Sequence, residues 1–105
     1  MRLLNFNVNA QCIQKSPNCD FEHIVAGTQN YLRACFTFSP EWHDCIIVAS
    51  FRRCGTEHAV LVEDGQCDIP AEVLVGRSFS VTLVGQRGDY RITTNRILIR
   101  QEVSR

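Results

Sequence analysis

The sequence predicts an all-β protein, a two-sheet antiparallel β-sandwich of seven or eight strands with at most one short helical turn. Three observations lead there. Apolar and polar residues alternate with period two in segment after segment; clusters of Gly, Pro, Asn, Asp and Ser separate those segments; and no amphipathic stretch of three or more helical turns occurs. With 105 residues, 45% of them hydrophobic, the chain suits one core and is too short for two, so residues 1–105 are read as a single domain.

The elements follow in order. Leu4, Phe6 and Val8 alternate with Asn5, Asn7 and Asn9, the pattern of a half-buried first strand, which residues 11–14 either continue or reverse. Ser16-Pro17-Asn18-Cys19-Asp20 is turn chemistry, and His23 to Ala26 is a short apolar run ended by Gly27. From Tyr31, Leu32, Ala34, Phe36 and Phe38 share one face of a central strand that Ser39-Pro40-Glu41 breaks, because Pro has no amide hydrogen for a ladder. Cys45 to Phe51 is apolar on both faces, as expected of a strand covered on both sides. Ala59 to Val62 is its partner, and Asp64-Gly65 marks a tight hairpin into a short strand, Cys67 to Ile69. Pro70 to Val75 reads as one helical turn or loop closed by Gly76. Phe79, Val81 and Leu83 point inward from the next strand, Gly85 to Asp89 turn, and Asn95 to Val103 closes the fold. The expected core is Phe36, Phe38, Trp42, Val48, Phe51, Ile69, Phe79, Val81 and Leu83.

Charge narrows the function classes. Eleven basic and eleven acidic residues cancel, so no global field draws in nucleic acid or an anionic membrane, and neither is an expected partner. Ten of the eleven bases are Arg, Lys15 being the exception. Arg tolerates partial burial and pairs bidentately, which suits protein contacts. A net charge near zero gives little colloidal protection, as expected for a member of an assembly. Asn at every other position from Asn5 to Asn9 leaves no room for a signal-peptide apolar core, and the longest apolar run, Cys45 to Ala49, is too short for a membrane helix. The expectation is synthesis in a reducing cytoplasm, with most of the six Cys as free thiols that act as small buried hydrophobes.

The cysteine intervals contain no zinc knuckle; His43 and Cys45 would share a face if they lay on a strand, but a lone pair lacks two ligands. Six Cys and three His permit a thiol-imidazole pair only by arithmetic. Arg87-Gly88-Asp89 spells an adhesion tripeptide that a plain hairpin tip explains as well. Arg52, Arg53, Arg87, Arg91, Arg96 and Arg100 could form a basic stripe, but cross-strand pairing with Glu57, Glu63 or Glu102 is the preferred reading. Trp42 is expected to cap the core with its indole N–H on a loop carbonyl. No catalytic residue, metal or cofactor is expected.

The stretch Tyr31 to Trp42, with Val48-Ala49-Ser50-Phe51, Cys67 to Leu74, Phe79 to Gly85 and Gly88 to Asn95, resembles small domains of phages and prophages of Gram-positive gut bacteria. The likeness covers about two-thirds of the chain in order, departing at His43-Asp44-Cys45 and at Ala71. It implies an immunoglobulin-like or baseplate-type β module acting as an attachment piece rather than an enzyme: a capsid decoration, head fibre or tail adaptor in the virion, made in the host bacterial cytoplasm. It implies repeated copies in contact with capsid, portal, neck or tail proteins. The expected interface is the first strand, with Leu4, Phe6 and Val8, or the last, with Arg96, Leu98 and Arg100. A small soluble inhibitor of a host defence system is the competing role.

Overall fold

The computed structural model describes residues 1–103. Nine strands among them form two packed sheets: β1 (Arg2–Asn9), β2 (Cys12–Lys15), β3 (Leu32–Phe38), β4 (Ile46–Arg53), β5 (Thr56–Val62), β6 (Gln66–Asp68), β7 (Ser78–Arg87), β8 (Tyr90–Thr93) and β9 (Ile97–Arg100). The first sheet runs β2-β1-β3-β6; the second runs β5-β4-β7-β8, with β9 also on β7. The protein is an all-β sandwich. The described residues also contain two 3-10 turns, at Ala71–Val73, where a turn was expected, and at Pro40–Trp42, where only a break was.

Alternation does what the sequence predicts inside each strand. Leu4, Phe6, Val8, Ala34 and Phe36 from the first sheet meet Ala49, Phe51, Phe79, Val81, Leu83 and Ile99 from the second, all buried. Phe6 stacks on Phe36 at 5.4 Å between ring centroids, an attractive offset geometry as well as buried area. The Asp64-Gly65 hairpin forms with both central residues at positive φ, 54° and 75°, as a type I′ turn requires, and Glu63 bridges Gln66 across it.

Two placements differ from expectation. β1 lies between β2 and β3 and runs parallel to β3, Arg2 opposite Leu32 through Val8 opposite Phe38, so this sheet is mixed. A parallel neighbour needs a long return path, which residues 16–31 provide. That connection is tied to β1: the Arg2 guanidinium donates to the carbonyls of Asp20, Glu22 and His23 at 3.0, 2.6 and 3.0 Å. Beyond the end of β2 the Asn5 N–H donates to Cys19 Sγ at 3.3 Å, so a thiol occupies the place of a ladder carbonyl.

The second difference is a strand the sequence reading did not include, β8, which lies before the expected closing segment of residues 95–103 and shares β7 with β9. Between β8 and β9 the ladder on β7 is interrupted, and Thr94 repairs it with its side chain. The Leu83 N–H donates to Thr94 Oγ1 at 2.9 Å while the Thr94 N–H donates to Leu83 O at 3.0 Å. Asn95 then stitches the two sheets together, its Oδ1 accepting the Ile13 N–H at 2.8 Å and its N–H reaching Gln11 O at 3.0 Å.

Candidate functional site

Leu4, Phe6 and Val8 are 0%, 1% and 2% exposed, which removes them from any interface. The cause is the central, parallel position of β1: both of its edges are paired or covered, and its apolar face turns into the core. Val48, expected in the core, is only half-buried and points out of the second sheet, while its neighbours Ala49 and Phe51 take the interior. Phe38 is partly buried against the core cluster. The remaining expected core residues, Phe36, Trp42, Phe51, Ile69, Phe79, Val81 and Leu83, are buried.

β4 is apolar on both sides, yet this chain covers only one of them. On the outer face of the second sheet, Ile46 is 69% exposed and Leu61 51%; Val48 lies between Leu61 and Val84 across the strands, two residues along β4 from Ile46. Ser50, Ala59, Thr82 and Ser80 continue the same face with short side chains, and the ion-paired Arg52 and Glu57 stand in the row of Ser80. Leu98, 47% exposed, pairs with Ser80 at the far side, flanked by Arg96 and Arg100. The outward residues Ile46, Val48 and Val84, with Asp44, Gln86 and Arg87, line a groove of about 540 Å³. A strand whose two faces are both apolar is the sequence signal for this surface: it predicts cover on both sides, and the described residues of this chain supply it on one.

The arginines divide. Arg52 pairs with Glu57 at 3.3 Å, the expected cross-strand arrangement, and Ser50 and then Arg52 hold the Glu57 carboxyl below the usual range. Arg53 donates to Val75 O at 2.7 Å, and Arg33 pairs with Asp68 at 2.6 Å. Among the described residues Arg91, Arg96 and Arg100 have no carboxylate within ion-pair distance, so cross-strand pairing does not account for them. Glu102, one of their expected partners, instead meets His23 at 2.9 Å.

The loop end is a packed knot. The Trp42 indole N–H donates to Ala10 O at 2.8 Å, as the cap reading expects, and Ser39 Oγ accepts the Ala10 N–H at 2.8 Å. Ala10 sits at a φ of 52°, costly for a residue with a Cβ, and these two bonds hold it there. Arg87 donates to the His43 carbonyl and lies over the Tyr90 ring at 4.6 Å. The adhesion tripeptide therefore has its Arg committed within the fold. His43 follows the 3-10 turn rather than lying on a strand, its side chain 79% exposed, and Asp44 has a φ of 60°, so His43 and Cys45 do not share a strand face. Among the described residues no three His, Cys, Asp or Glu side chains are grouped to hold a metal ion. Of the thiols, Cys12 and Cys54 are exposed, Cys19, Cys35 and Cys45 partly covered, and Cys67 buried. Burial pushes the Cys67 thiol up to about 12, with Arg33 opposing that shift and Asp68 adding to it.

No family model, curated protein or solved structure matches the chain.

Proposed function

We propose that this chain is a non-enzymatic accessory protein of a bacteriophage virion, a capsid decoration, head fibre or tail or baseplate attachment module that works through protein–protein contacts. The observation that carries this reading is the outer face of the second sheet. Ile46 and Leu61 stand more than half exposed there beside half-buried Val48 and Val84. Contiguous apolar surface rimmed by polar residues marks interaction sites, and Arg is enriched at such surfaces while Lys is depleted. Ten Arg against one Lys fit that composition.

The motifs running in order from Tyr31 to Asn95 support an immunoglobulin-like or baseplate-type module in particular. In this reading the partners are other virion proteins, of capsid, portal, neck or tail, the chain is present in multiple copies, and it joins the particle after synthesis in the host cytoplasm. Peptide mapping of purified particles tests it. The expected result is this chain at a fixed stoichiometry to the major structural proteins; a chain made during infection but missing from purified particles refutes the proposal.

A further inference from the structure

We infer that the outer face of the second sheet is a self-complementary interface, on which a second copy of this chain packs face to face about a two-fold axis running along the strands between β4 and β7. This goes beyond the virion reading and does not depend on it.

Charge argues for a second copy and selects the axis. Across the outer face, the carboxylates lie at one edge, Glu57 with its ion-pair partner Arg52 beside it, and the arginines with no carboxylate partner among the described residues lie at the other. Glu57 and, by continued alternation, Glu63 lie at the β5 edge; Arg91, opposite outward-facing Gln86, and Arg96 and Arg100 lie at the β8 and β9 edge. Rotation about an axis parallel to the strands exchanges these edges, so Glu63 of one copy meets Arg91 of the other, and the Glu57–Arg52 pair meets the Leu98 row flanked by Arg96 and Arg100. The other in-plane axis, perpendicular to the strands, would bring Arg91 over Arg100 and repel. The same rotation places Val48 over Val84 of the second copy, because the two are direct partners astride the axis. An isologous contact of this kind needs one patch that complements itself, and this face does.

Area and shape agree. Four strand positions at ~4.8 Å and the eight-residue β4 at ~3.4 Å per residue give a face of roughly 19 by 27 Å. Two such faces bury on the order of 1,000 Å², the lower limit for a specific contact, so the dimer is weak and concentration-dependent. The short side chains of Ser50, Ala59, Thr82 and Ser80 let two sheets approach to the ~10 Å spacing of a sandwich layer. Ile46 and Leu61, 69% and 51% exposed in the single chain, fill the contact.

Sedimentation analysis of the purified chain from low micromolar to near millimolar concentration tests this. The wild type is expected to shift from monomer to dimer across that range. Val48→Asp is expected to raise the dissociation constant about a hundredfold or more, the scale of an unpaired charge in a desolvated contact. Ile46→Asp, at a position 69% exposed, is the second variant should the first not fold. Arg91→Glu is expected to weaken the dimer, and adding Glu63→Arg to restore it. A wild type that stays monomeric throughout, including one that binds only some other protein, overturns the inference. So does a folded Val48→Asp or Ile46→Asp that dimerises like wild type, or a double charge swap no tighter than the single. A monomeric result leaves the particle-composition test of the virion reading untouched.

Discussion

Gly85 lies in β7 beneath the Trp42 indole, and replacing it with Ala should destabilise the protein through one identifiable collision. A Cβ added at Gly85 would sit 2.8 Å from Trp42 Cε3, 2.9 Å from Cζ3 and 3.2 Å from Cys45 Cβ, the first more than half an ångström inside ordinary contact. The indole has little room to retreat. It is 2% exposed, packs against Phe38 at 5.3 Å, and donates to Ala10 O. Moving it frees that carbonyl and releases one of the two bonds that hold Ala10 at positive φ. Overpacking of a closed core costs roughly 1–3 kcal/mol, and the coupled loss at Ala10 places Gly85→Ala near the upper half, about 2–3 kcal/mol. For a domain of this size that lowers the thermal midpoint by roughly 8–20 °C. Trp42 is the sole tryptophan, so its fluorescence reports both the unfolding transition and any native-state displacement of the ring. The expected result is a lowered midpoint with a red-shifted native emission. In a Trp42→Leu background the penalty for Gly85→Ala should largely vanish, since the colliding ring is gone. A Gly85→Ala protein with unchanged midpoint and emission would refute the reasoning.

Phe6→Ala should cost about 3–5 kcal/mol in urea unfolding, because the ring is 1% exposed and packs at 5.4 Å on both Phe21 and Phe36; a cost under 1 kcal/mol would restore β1 as a surface strand. Thr94→Val, nearly isosteric, should cost about 1–3 kcal/mol by leaving the Leu83 N–H without its acceptor, whereas Thr94→Ser should keep most of the stability. A thiol reagent at mild alkaline pH should modify Cys12 and Cys54 quickly and Cys67 only on unfolding, as mass mapping of the adducts would show. Cys67 also adds a pH dependence. Below the ordinary value of 9.0 both the folded and unfolded thiols keep their proton, and between there and about 12 only the unfolded chain loses it. Stability should therefore fall as pH rises through that window, more steeply in wild type than in Cys67→Val, which denaturant titrations at several pH values would measure.

Much of the fold is local and legible in the sequence. The alternation at Leu4-Phe6-Val8 and Leu32 to Phe38 reports which side chains share a face, and the structure keeps those faces. The Asp64-Gly65 turn needs only its own backbone preferences, whereas Trp42 announces the need for an acceptor that only the tertiary fold supplies, at Ala10 O. The surface signal was also present in β4, where Ile46, Val48, Ala49 and Phe51 are apolar regardless of side. Its meaning was not, because an apolar face says that something should cover it and not whether that cover belongs to the same chain.

The sequence by itself determined that this protein is built of strands, where most of them turn, and which residues point together. Tertiary structure alone decided that β1 lies inside its sheet and parallel to β3, that Thr94 patches the ladder between β8 and β9, and that the outer side of β4 stays open. The physical reason is that side-chain alternation is a property of one strand, whereas pairing, register and cover depend on segments far apart in the chain whose contacts form only once the whole core closes.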